Sequence, residues 1–289
     1  MMWKDSYRIG VERIDRQHIE LFRMTEDLVK AVAERAPVEV YQKALGFLTD
    51  YVIYHFRDEE DYQASIHYSG MEAHKEEHRQ FTQTVLSYET KLRENGFDLG
   101  TKKDLAGAVT AWLIYHVADT DQKIVAGAVS APDESAFDRY VDLFAGSALE
   151  VMETMTGLDR TKARRQAAEG RTLQGDVFIS LALVGDLKGS AVLGFSQELA
   201  LYLVRAMTMM ELSEVDELVQ SALCELTNIS CGNAATALAG RGLHCDIRPP
   251  VLTREAPCGG APDAVWVETG AGGLTVALCL DSPAQPPRA

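Results

Sequence analysis

Six of the seven histidines fall in the first half of this 289-residue chain, and five of those six stand at spacings that could hold a metal. They are His18, His55 with Glu59 four residues on, His74 with His78 four on, and His116 with Asp121 five on. Residues four apart share a helix face, about one turn apart. The pairs His55/Glu59 and His74/His78 can therefore each reach one ion. A five-residue step turns about 140° at the helical period, so Asp121 approaches from the side or from a distorted helix end. Five imidazoles, two carboxylates and no thiolate suit a borderline metal such as iron, and suit zinc or manganese less well. Seven ligands exceed what one ion needs. They suit two ions that share carboxylates and leave room for a small exogenous ligand. Glu60 faces about 100° away from Glu59 and reads as a solvated group or one standing behind a ligand. His67 matches no ligand position and reads as surface.

These side chains need elements to carry them. Leu21, Phe22, Thr25, Leu28, Val29 and Val32 recur at helical spacing behind His18, and Pro37 closes the run. A second helix runs from Val40 through Phe56 to about Tyr62, and Ser69-Gly70 breaks the chain. A third runs from about Met71 to Leu92 and stops at Asn95-Gly96; a fourth runs from about Thr101 through Trp112 to Val117. Four helices of similar length with short loops predict an all-α, up-down four-helix bundle. His18 lies near the start of the first helix and His55/Glu59 near the end of the second. His74/His78 lie near the start of the third and His116/Asp121 near the end of the fourth. In an up-down bundle those four places share one pole.

The remainder reads as mixed α and β. Ser130-Ala131-Pro132-Asp133-Glu134-Ser135 is the linker candidate, and an amphipathic helix follows with Phe137, Tyr140, Val141, Phe144, Ala148, Val151, Met152 and Met155 on one side. Val177 to Val184 and Ser190 to Phe195 read as a hairpin turning at Gly185-Asp186. Ser196 could cap a helix to about Met210, and Ser213-x-x-Asp216 resembles a capping box opening a long helix to about Ala239. Ala264 to Glu268 and Leu274 to Leu280 look like a final hairpin. The expected division is 1–129 for the bundle, 130–135 for the linker, 136–280 for the second domain and 281–289 for a loose tail.

Acidic residues outnumber basic ones 43 to 28, giving a net charge of −15, which disfavours a nucleic-acid partner. Met1 to Arg8 lacks the apolar core of a leader peptide, and no stretch approaches the about 18 apolar residues of a membrane span. The expected location is the cytoplasm. The cysteines, Cys224, Cys231, Cys245, Cys258 and Cys279, are odd in number and form no CxxC pair, so plain reduced thiols are expected. His244, beside Cys245, reads as structural.

The histidine set resembles the hemerythrin family over roughly residues 3–125. The resemblance rests on Trp3, Tyr7, Gly10, Asp15-Arg16-Gln17-His18, His55-Phe56-Arg57-Asp58-Glu59-Glu60, His74-x-x-x-His78-x-x-Phe81 and Trp112-Leu113-x-x-His116-x-x-x-x-Asp121. It implies a non-haem diiron centre with an oxo bridge and molecular oxygen as ligand. One iron would be held by His74, His78 and His116 and the other by His18 and His55, with Glu59 and Asp121 bridging. Ser69 departs from the family, which often has proline there; no ligand is affected.

In the second half the informative helix carries Ser221, Glu225, Asn228 and Gly232 within roughly 60° of one another. Val215, Leu218, Ala222, Leu226 and Ile229 form a separate apolar stripe. A polar stripe alone is more often a solvated face. Yet Ser221-x-x-x-Glu225-Leu226-x-Asn228-x-x-x-Gly232-Asn233, after a strand hairpin and a Met-rich helix, is similar to the CheC/CheX/FliY group of chemotaxis phosphatases over roughly residues 136–280. That resemblance implies an α+β domain of two long helices on an antiparallel sheet, which dephosphorylates a CheY-type response regulator. Asn228 would orient the attacking water and Glu225 would engage the regulator's lysine as the catalytic pair. Glu150-Val151-Met152-Glu153 on the earlier helix lacks a second Asn, so the domain looks more like CheX than CheC. The resemblance also implies that two copies can pair through sheet edges as a homodimer.

The combined expectation is an oxygen- or redox-sensing protein whose bundle biases the phosphatase through the helix at about 134–157. The alternatives are a non-enzymatic oxygen- or iron-binding protein with a regulator-binding module, and a diiron oxidase or peroxidase.

Overall fold

The computed structural model describes residues 2–126, 140–167, 173–253 and 262–281. The chain divides into two compact units, built chiefly from Met1–Ser130 and from Ala131 onward. The linker candidate 130–135, the expected start of a helix at Phe137 and the tail 282–289 lie outside the described residues.

The first unit is helical. Helix α1 spans Glu12–Ala33, α2 Val38–Ser65, α3 Met71–Glu94 and α4 Leu99–Tyr115. The chain before α1 is fixed by Asp15, whose carboxylate accepts from the Ile9 and Gly10 amides at 2.8 and 3.2 Å. This anchor starts α1 six residues before His18. Pro37 immediately precedes α2, where its fixed φ suits a helix start and its missing N–H is not needed. Asp98 caps α4 by accepting from the Thr101 amide at 3.0 Å. Packing runs α1 on α2, α2 on α3, α3 on α4 and α4 on α1, the closed ring of an up-down bundle. Its core includes Ile14, Leu21, Phe22, Leu28, Tyr41, Leu45, Leu48, Phe81, Leu92 and Leu105. After Tyr115 the backbone widens into a π-turn over His116–Thr120, and a short helix α5 follows at Gln122–Ala126.

The second unit is α+β. Its elements are α6 (Tyr140–Thr156), β1 (Arg164–Ala167), β2 (Val177–Gly185), β3 (Gly189–Phe195), α7 (Gln197–Thr208), α8 (Glu217–Gly240), β4 (Cys245–Ile247), β5 (Val251–Thr253), β6 (Asp263–Thr269) and β7 (Gly272–Leu280). The strands form one antiparallel sheet in the order β1-β6-β7-β3-β2-β4, and β5 also pairs with β2. Both expected hairpins are present. β2 pairs with β3 from Val177↔Phe195 to Leu183↔Gly189, and β6 with β7 from Asp263↔Leu278 to Thr269↔Gly272. Gly185 closes β2 at φ 124°, and a Cβ there would sit 2.3 Å from the His244 carbonyl oxygen, so no other residue fits. Helix α6 packs on β6 and β7. The Ser147 hydroxyl ties it to α8 by donating to the Ser230 carbonyl at 2.7 Å.

Two expectations need correction. The cap of α8 is Asp216, whose carboxylate accepts from the Val219 amide at 3.2 Å, and the helix starts at Glu217 rather than at Ser213. Cys224, Cys231 and Cys245 are reduced thiols in no disulfide, but Cys279, on β7, is disulfide-bonded. Disulfide pairing depends on Cβ approach in the folded chain, and sequence spacing carries no trace of it. Among the described residues no helix is long and apolar enough to cross a membrane.

Candidate metal centre and polar helix

The four ligand-bearing places meet at one end of the first unit. All seven side chains are buried, none more than 2% exposed. The His74 and His78 Nε2 atoms lie 3.1 Å apart, and those of His78 and His116 lie 3.0 Å apart. Glu59 Oε2 sits 3.4 Å from His74 and 3.3 Å from His78. A second group is formed by His18, His55 and the same Glu59. Asp121 faces both groups. Its Oδ1 lies 3.1 Å from His116 and 3.4 Å from His74, while its Oδ2 lies 3.2 Å from His18.

The five-residue step to Asp121 is resolved by the π-turn. The Asp121 amide donates to the His116 carbonyl at 2.9 Å, an i to i+5 bond. One extra residue in the turn brings Asp121 back onto the face of His116.

The donor set tests whether a metal fits. Both oxygens of Glu59, both oxygens of Asp121 and both nitrogens of His18 are buried without a hydrogen-bond partner. Such groups are costly to bury unless something satisfies them. The Nε2 atoms of His74, His78 and His116 lie within hydrogen-bond reach of one another, but they leave the carboxylate oxygens and His18 unsatisfied. His78 Nδ1 meets Glu60 Oε1 at 3.0 Å, so the proton of the neutral ring belongs there and Nε2 presents a bare lone pair. Ligands at about 2.1 Å from one ion and mutually perpendicular would stand about 3 Å apart, which matches the Nε2 separations. Burial pushes His55 down to about 3 and also lowers His78, which keeps both rings in the neutral, ligating form. Burial opposes charge on His116 too, but the Asp121 carboxylate with Glu77 behind it outweighs that and raises His116 to about 10. Proton and metal would compete for that lone pair. The residues present fit a two-cation centre.

Aromatic rings hold the histidines in place. Phe56 stacks on His78 at 3.7 Å and Trp112 on His116 at 4.2 Å, with Phe81 stacked on Trp112 at 3.8 Å. Beneath His55 and His116 lies a small apolar cavity lined by Leu21, Leu48, Val52, Phe81 and Leu113. His67 is exposed at φ 53° and takes no part. Glu60 stands behind His78 rather than in solvent. Gln17 and Glu77 also touch ligand histidines, at His55 Nδ1 and His116 Nδ1. No spacing rule flags them, because each acts on a histidine of another helix.

In the second unit Glu225 and Asn228 sit one turn apart on α8, both half-buried, with Gly232 half-buried a further turn on. Burial pushes the Glu225 carboxyl up to about 7, against a hydrogen bond with the Asn228 side chain that lowers it. Cys231 is buried on the same helix, and burial raises its thiol well above the usual range.

A profile of the Hemerythrin HHE cation binding domain matches residues 9–127, and one of the chemotaxis phosphatase CheX matches 177–258. The bacteriohemerythrin of Clostridium acetobutylicum is 31% identical over 127 residues, covering 43% of this chain and 98% of that protein. The CheY-P phosphatase CheX of Thermotoga maritima is 31% identical over 115 residues, covering 39% of this chain and 74% of that protein. The chain is a hemerythrin–CheX fusion, belonging to both families. A crystal structure of the chemotaxis protein CheX from Vibrio vulnificus is 24% identical, with a TM-score of 0.44, covering 49% of this chain and 99% of that one. The hemerythrin half carries the histidine pole, and the CheX half carries Glu225 and Asn228.

Proposed function

We propose that the hemerythrin unit holds two iron ions and responds to oxygen or redox state, and that the CheX unit dephosphorylates a CheY-type response regulator. The carrying observation is the convergence of seven buried side chains, among which the carboxylate oxygens of Glu59 and Asp121 and both nitrogens of His18 have no hydrogen-bond partner. His74, His78 and His116 would hold one ion and His18 and His55 the other, with Glu59 and Asp121 shared. When bound, such a pair of ions can take up molecular oxygen reversibly. The chain's own contribution is to bury the pole, keep His55 and His78 neutral, and offer a small apolar cavity beside it. By resemblance to the hemerythrin family, five imidazoles against two carboxylates favour ligand binding over substrate oxidation, and oxygen-consuming turnover of an added substrate would contradict this.

For the second unit, the name of the Thermotoga relative supports phosphorylated CheY as the substrate class. An acyl phosphate is labile, and a helper need only place water in line with the P–O bond. The Asn228 amide is suited to orient that water, and an ionised Glu225 to meet the regulator's lysine. Water adds to phosphorus, the aspartyl carboxylate leaves, and inorganic phosphate is released. Phosphate release from a phosphorylated regulator, measured with the bundle deoxygenated, oxygenated and oxidised, tests both halves together. Different rates support a sensor. Equal rates remove the coupling, and regulator binding without phosphate release removes the phosphatase.

A further inference from the structure

Gln17 is 5% exposed and bridges two helices. Its Nε2 donates to Asp58 Oδ2 at 2.7 Å, and its Oε1 faces His55 Nδ1 at 3.1 Å. The other Asp58 oxygen, Oδ1, pairs with Arg13 Nη1 at 2.8 Å. The order of donors in this chain is forced. A carboxylate paired with a guanidinium only accepts, so the amide must turn its NH₂ toward Asp58. Its carbonyl oxygen must then face His55. That oxygen only accepts as well, so the ring proton must sit on Nδ1. The lone pair is left on Nε2, on the side where His18, His55 and Glu59 gather. With the amide reversed, two oxygens would oppose each other at the Asp58 contact. A proton on Nε2 would then block the ligand position.

We infer that Gln17 is a positioning residue that locks His55 in the Nδ1–H tautomer, with Asp58 and Arg13 holding its amide the right way round. The use of that tautomer for a metal rests on the proposed function; the tautomer itself does not. The lock also separates the two ion positions. His78 Nδ1 faces the Glu60 carboxylate at 3.0 Å and His116 Nδ1 faces the Glu77 carboxylate at 3.4 Å, whereas His55 faces a neutral amide. An ionised acceptor behind an imidazole makes it a stronger donor to a metal. The position near His18 and His55 is thus the less electron-rich of the two.

Nitrogen-15 NMR of the metal-free full-length protein reads the tautomer directly. His55 should show a protonated Nδ1 and a bare Nε2, and a protonated Nε2 would overturn the lock. Gln17→Leu should release the ring to a tautomer mixture and lower iron uptake from two ions per chain to one. A pure Nδ1–H signal in that variant would also overturn it. The pair Gln17→Glu with Asp58→Asn exchanges amide and carboxylate, so that an ionised acceptor faces His55. It should keep both ions and lower the midpoint potential of the centre, while an unchanged potential contradicts the electronic part of the inference. Wild-type protein that takes up no iron would contradict the metal reading alone, because the NMR result still decides the lock.

Discussion

The histidine pole and the polar stripe of α8 differ in how complete they are. At the pole, seven side chains from four helices and a π-turn close on one another, and aromatic stacking fixes the rings from outside. On α8, two side chains three residues apart stand half-buried on one helix, joined by an amide–carboxyl hydrogen bond. The first is a site assembled inside the fold. The second, on the proposed function, would be half a site whose reacting atoms come with another molecule. A closed site makes many demands on the sequence at once, whereas a half-site makes few.

That contrast can be broken at its strongest point first. Asp121→Ala removes the side chain that faces both histidine groups, and bound iron should fall from two ions per chain to one or none. Retention of both, by iron assay after gel filtration, would mean that the shared carboxylate is dispensable. Next in size, Asn228→Ala should lower phosphate release about 100-fold, the scale lost when a reactant is misplaced, while pull-down of the regulator persists. An equal loss of binding would recast Asn228 as a contact residue.

A smaller effect concerns pH. Glu225 titrates at about 7 in the folded protein, against an ordinary 4.5. Between those values the folded state holds a proton that the unfolded chain has released. The stability this group contributes is therefore present below about 4.5 and lost as pH rises through about 7. Glu225→Gln should flatten that slope, so the melting temperature of the variant minus that of wild type should grow from pH 5 to pH 7.5. The same titration predicts phosphatase rates that fall as pH drops below about 7. A constant difference in melting temperature would place the Glu225 titration elsewhere. The smallest expected effect is at His67, exposed and left-handed in φ. His67→Asn, which tolerates that conformation, should leave iron content unchanged, and a loss would show that the pole extends into the loop.

Much of this was legible in the sequence for physical reasons. Helical periodicity and the up-down rule place His18, His55, His74 and His116 at one pole before any coordinate is known. The residue spacing of His116 and Asp121 leaves either a side approach or a distorted helix end, and the π-turn is the second of these. Strands β2, β3, β6 and β7 are long enough to carry a β pattern. Strands β1, β4 and β5, of three or four residues, are not, and Arg164-Arg165-Gln166 has no apolar alternation to read. The acceptors behind the histidines were harder still. Gln17 and Glu77 each sit beside a ligand in the chain, but the ring they hold belongs to a different helix. The disulfide at Cys279 left no signature for the same reason, since through-space pairing has no period.

The most direct test of the central claim is an iron titration of metal-free, full-length protein under anaerobic conditions, followed by exposure to oxygen with the visible spectrum recorded. The account predicts saturation at two ferrous ions per chain and a charge-transfer band that appears with oxygen and is lost on its removal. Saturation at one ion, or no uptake by a correctly folded bundle, would contradict it.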